Sequence, residues 1–135
     1  MTLKLSQYHL AGAILLALTS TSLACAYAND LSLLNTLERG QWTFRATGAE
    51  APLTKICLGN PEVLTQIEHS GITCERYVVR STVNSVTVSY TCQGHGQGLT
   101  TIRKESNRII HIQSQGIRNN APFSFSVEGR KTGPC

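Results

Sequence analysis

Through most of the chain, apolar residues recur at every second position. In "QWTFRAT" (41–47), Trp42 and Phe44 fall on one side and Gln41, Thr43 and Arg45 on the other. "SVTVSYTC" alternates more strictly, with Val86, Val88, Tyr90 and Cys92 facing one way and Ser and Thr the other. In "CERYVVRSTV", Tyr77, Val79 and Val83 oppose Arg76 and Arg80. Such a period of two predicts half-buried strands. "LTKICL", "GQGLTTIRKES", "RIIHIQS" with Ile110 and Ile112, and "PFSFSVEG" with Phe123, Phe125 and Val127 extend the series. Two stretches depart from it. "LSLLNTLER" (31–39) predicts a short helix stopped by Gly40. "GNPEVLTQIEHSG" predicts a clearer one: Asn60 is an N-cap, Pro61 suits the first turn, and Gly71 ends it. Val63, Leu64 and Ile67 form its apolar stripe.

The turn signals between strands predict a mostly β, α+β fold: a curved antiparallel meander sheet or partial barrel of about six or seven strands. One short helix packs on that sheet, as a single apolar face requires.

The N-terminus follows another pattern. Lys4 precedes an apolar run from about Leu10 to Leu18, then small and polar residues ending in Ala26-Tyr27-Ala28. This order predicts a cleaved secretory peptide over residues 1–28 and a single domain over residues 29–135. The rival is lipid attachment at Cys25, where Ser22 stands in place of the usual apolar residue. Removing 28 of 135 residues leaves 107, room for one modest core. Eleven basic against eight acidic residues remain, a net charge of +3. The basic residues form no block, so the surface is first a solvated one, and nucleic acid is not an expected partner. An anionic envelope polymer fits the charge sign.

Cleavage also changes the cysteine count, because Cys25 leaves and Cys57, Cys74, Cys92 and Cys135 remain. Four cysteines in a short exported chain imply two disulfides. A hairpin turning at Asn84-Ser85 would set Val83 opposite Val86, Val79 opposite Tyr90 and Tyr77 opposite Cys92. Cys74 would then point away from Cys92, unless a β-bulge intervened. The economical pairing is Cys57–Cys74 with Cys92–Cys135, the first bond tying both ends of the helix excursion and the second clasping the C-terminus.

These residues resemble a family. Gly40-Gln41-Trp42, Cys57-Leu58, Cys74, Cys92-Gln93-Gly94 and the closing Gly129-Arg130-Lys131-Thr132-Gly133-Pro134-Cys135 are similar to the bacterial domain-of-unknown-function 3617 family. The resemblance covers essentially the whole mature chain. Here "RGQW" replaces the family's frequent Pro before the Gly. It implies a small exported protein, periplasmic or secreted, with four cysteines as framework and no catalytic residues to transfer.

Candidate chemistry is sparse. "CQGHGQG" offers Cys92 and His95, but one Cys-x₂-His pair falls short of a zinc site, and oxidation removes the thiolate. Its glycines suit a mobile hairpin turn needing positive φ. His69 and His111 are read as surface or boundary residues. No nucleophile elbow or zinc-protease motif occurs. Trp42, Phe44, Tyr77, Tyr90, Phe123 and Phe125 would line a ligand cavity if the sheet curled far enough, or else form the core. The expectation is a protein that is not an enzyme: a non-catalytic binding or envelope structural module without cofactor or metal. Its partner would be an envelope protein, a polymer or a small apolar ligand. The alternatives are a carrier of a small apolar ligand in a sheet cavity and an envelope enzyme whose site is assembled only in space.

Overall fold

The computed structural model describes residues 30–47 and 54–135. The expected secretory peptide and the lipidation alternative at Cys25 lie outside the described residues. After a one-turn helix α1 (Ser32–Asn35) come β1 (Gly40–Ala46), β2 (Thr54–Leu58), a 3₁₀ helix (Pro61–His69) and then β3 (Glu75–Ser81), β4 (Ser85–Cys92), β5 (Gly96–Ser106), β6 (Ile109–Arg118) and β7 (Ala121–Gly133). All seven strands join one open antiparallel sheet in the order β2-β1-β7-β6-β5-β4-β3. The mostly β fold is thus the one the alternation predicts, and the two disulfides are the number the cysteine count implies.

One face of the sheet holds the core. Trp42, Phe44, Val86, Val88, Ile102, Ile110 and Ile112 are buried there beneath Leu33, Leu34 and Leu37 of the N-terminal turn and Leu64 of the 3₁₀ helix. Burying each large aliphatic contributes roughly 1.5–3 kcal/mol. The Trp42 indole N–H donates to the Glu38 carbonyl at 2.9 Å, which leaves the ring's polar edge satisfied inside the core.

β2 and β3 are the two edges of the sheet, so the connection between them must cross it. The 3₁₀ helix lies in that crossover and packs on β4, β5 and α1. Asn60 caps it, its side chain accepting from the Glu62 N–H at 3.0 Å. The expected α-helix is a 3₁₀ helix broken at Gln66 (φ −139°). Its inward residues Pro61, Leu64 and Ile67 recur every third position, the period of a 3₁₀ turn, while Val63 remains 46% exposed.

The crossover also corrects the disulfide pairing. Cys57 bonds Cys135 and Cys74 bonds Cys92, with Cα–Cα distances of 5.6 and 4.2 Å. Cys57 lies in one edge strand and Cys74 just before the other. Six interstrand spacings put those edges on the order of 29 Å apart along the sheet, far beyond a disulfide's reach of about 7 Å. The bonds do bracket the crossover, but each ties one end to the sheet rather than the two ends to each other.

The register explains why Cys74–Cys92 is allowed. Ser81 opposes Val86, so the turn residues are Val83 and Asn84 rather than Asn84 and Ser85. That two-residue slip preserves the faces. A bulge between Val78 and Arg80 adds one more, so that Val78 opposes Val88, Arg76 opposes Tyr90 and Glu75 opposes Thr91. An odd total slip exchanges the faces. Arg76 and Val78 turn inward, Tyr77 turns outward, and Cys74 comes opposite Cys92.

Candidate functional site

Among the described residues, two places bring chemically capable side chains together: a buried polar thread through the core face and the face opposite it, which no other described element covers. The thread begins at the end of the 3₁₀ helix, where His69 is 1% exposed. Its Nδ1 lies 3.1 Å from the Tyr90 hydroxyl and its Nε2 lies 3.2 Å from the His95 carbonyl oxygen. A carbonyl only accepts, so Nε2 carries the proton and Nδ1 accepts from Tyr90. Ser114 bonds the Tyr90 phenol in turn, and its hydroxyl lies 2.8 Å from that of Thr100. Burial pushes the Tyr90 phenol above its ordinary range, the Ser114 bond opposes this, and the nearby Glu68 charge adds to it. Among the described residues, no buried side-chain nitrogen or oxygen lacks a partner.

Glycines make the thread possible. A Cβ at Gly98 would fall on the Tyr90 ring, one at Gly96 would meet the Ile117 carbonyl and His69, and one at Gly116 would meet the backbone of β5 and Phe123. Gly94 and Gly96 have positive φ, as the turn between β4 and β5 requires. Gly98 and Gly116 serve clearance inside strands instead. Sequence reading placed His69 at the surface or its boundary and overlooked Ser114 and Thr100. The available signal was glycine at core-facing positions of two neighbouring strands. Chemically, the thread fastens the crossover to the sheet, with both imidazole nitrogens committed to partners.

The predicted aromatic set does not line one space. Trp42, Phe44 and Tyr90 are packed in the core, while Phe123 and Phe125 lie half-buried on the same face. Phe123 also sets its edge against the His69 ring, with centroids 6.0 Å apart. Tyr77, read from sequence as a core or cavity residue, is corrected to the outer face, 60% exposed. The bulge in β3 is the cause. Cys92 is bonded to Cys74 and so is not available to a metal. Among the described residues, no three His, Cys, Asp or Glu side chains come together as a metal site. His111 does lie outward, with Nε2 2.9 Å from Glu105.

The outer face is divided by charge. Toward β1 and β2, Arg45, Glu128, His111 and Arg103 form one cross-strand row over β1, β7, β6 and β5. Arg130 and Lys55 flank Thr43 beside it. Arg130 pairs with Glu128 and holds its carboxyl below the ordinary carboxylate range. Toward β3 the interior of the face is neutral, with Glu75 and Arg80 on the edge strand itself, opposite Thr91 and Thr87. Tyr77, Ser89, Leu99, Gln115 and Ser124 oppose one another in an unbroken row over β3, β4, β5, β6 and β7. Gln97 and Ile117 flank this row, which forms the floor of an open depression of about 620 Å³. Leu99 and Ile117 remain 38% and 43% exposed.

At the β3 edge, Arg76 donates to the Glu62 carbonyl, the Glu62 carboxylate and the Thr65 hydroxyl, each at 3.3 Å. This ties the crossover to the edge strand and explains why an arginine can turn toward the core. No family model matches the chain, and neither a curated protein nor a solved structure matches it.

Proposed function

We propose that this chain is a non-catalytic binding module of the extracytoplasmic envelope, periplasmic or secreted, and that the outer face of its sheet is the recognition surface. One observation carries the reading. One face of the sheet is covered by α1 and the crossover, while among the described residues nothing covers the other, whose side chains are sorted into a charged part and a part with a neutral interior. The secretory pattern of residues 1–28, the two disulfides and the resemblance to the domain-of-unknown-function 3617 family support the location. Among the described residues, no helix is long and apolar enough to cross a membrane.

The test is retention on isolated envelope fractions. Parent protein is compared with Leu99→Lys, which puts a charge in the neutral row, and with Val63→Lys, which changes the exposed side of the crossover. Retention should fall with Leu99→Lys and persist with Val63→Lys. Equal retention of all three, or none by the parent, defeats the proposal.

A further inference from the structure

We infer that the neutral half of the outer face binds a polysaccharide strand bearing hydroxyls and little charge. This rests on the outer face being the recognition surface and names what it recognises. The row from Tyr77 to Ser124 crosses four interstrand spacings, roughly 19 Å, the length of several sugar rings. Gln115 and the adjacent Gln97 each present a carbonyl and an amide N–H₂, and Ser89 and Ser124 each present a hydroxyl. Such groups both donate and accept, as sugar hydroxyls do. Tyr77 adds an exposed aromatic ring at one end and Leu99 an apolar surface in the middle, against which the C–H face of a pyranose packs.

Charge argues for this occupant over others. A dense polyanion would be drawn to Arg45, Lys55 and Arg103, which lie in the other half of the face. A lipid surface needs a broad apolar area, whereas here hydroxyl and amide groups separate Tyr77 from Leu99 and Leu99 from Ser124. A protein partner usually meets bulky buried anchors, and three of the five side chains in this row are Ser or Gln. A merely solvated face would mix its charges through every strand, yet here they lie in the other half and, as Glu75 and Arg80, on the edge strand β3, leaving β4 to β7 neutral along this row.

Affinity electrophoresis in native gels containing dextran, mannan or hydroxyethyl cellulose tests the inference, with dextran sulfate as the anionic comparison. Retardation is expected in at least one neutral gel and should persist at about 1 M salt, where charges are screened within about 3 Å. Tyr77→Ala and Gln115→Ala should each weaken it about tenfold or more, while Tyr77→Phe retains it. Thermal melting of each variant should match the parent, separating lost binding from lost folding. Retardation only by dextran sulfate, sensitive to salt, overturns the assignment. So does the absence of retardation in every neutral gel. If envelope retention persists but is abolished by protease treatment of the envelope and not competed by neutral polysaccharide, the glycan assignment fails while the outer-face binding function stands.

Discussion

The two faces of the sheet are built on opposite rules. On the core face, three aromatic side chains each lie against a glycine. Phe44 lies over Gly129, Tyr90 over Gly98, and Phe123 beside Gly116. On the outer face, the same strands present side chains that meet mainly their cross-strand neighbours, such as Thr87 and Thr101 at 3.0 Å or Thr43 and Thr132 at 3.1 Å. The first face fixes one geometry, because interiors are close-packed and even one methyl group is felt. The second tolerates exchange and is free to be shaped by recognition. Substitutions should therefore separate into stability effects on one side and binding effects on the other.

The disulfides should give the largest effect. The Cys57–Cys135 bond closes a separation of 78 residues and Cys74–Cys92 one of 18. In the chain-entropy model these contribute roughly 4.5 and 3 kcal/mol. Reduction should lower the thermal midpoint sharply, and Cys135→Ser more than Cys92→Ser if loop length governs. Non-reducing peptide mapping should recover the two stated pairs. A Cys57–Cys74 peptide would break the account of the crossover. Trp42→Ala comes next in size, costing about 3–5 kcal/mol by urea unfolding, because it empties a fully buried site and orphans the Glu38 contact. Gly98→Ala should cost about 1–3 kcal/mol although it adds only a methyl group, since that methyl meets the Tyr90 ring. If Gly98→Ala melts like the parent, the clearance argument fails.

Much of this was legible in the residues. Strand β4 appears where "SVTVSYTC" alternates, and β5 covers all of "GQGLTTIRKES". What escaped was what alternation does not encode. A single bulged residue in β3 reversed the assignment of Tyr77 and Arg76, because period-two logic is lost when the slip is odd. Asn119 and Asn120, both with positive φ, form the turn between β6 and β7 and extend both strands beyond their predicted ends. His69 looked like a surface or boundary residue at a helix end. Its burial depends on where the crossover lands, and that depends on β1 inserting beside β7 rather than beside β3. The neutral row on the outer face was likewise hidden, since it assembles one residue from each of five strands.

The outer face supplies the smallest expected change in stability, and it tests whether its charged half is structural at all. Arg130 donates to Glu128, which lowers the carboxyl's pKa below its ordinary value of 4.5. A carboxyl whose pKa is depressed on folding favours the folded state above its unfolded pKa. That contribution fades as pH falls through the lower, folded value. Arg130 is exposed and Glu128 partly so, and solvent and salt therefore weaken the pair. Glu128→Gln should therefore have a urea midpoint slightly below the parent at neutral pH, with the gap closing as the pH falls below 4.5 and narrowing in high salt. A gap that stays constant with pH would assign the loss to something other than the carboxylate charge. A gap comparable to that of Gly98→Ala would show that the two faces do not divide stability from recognition.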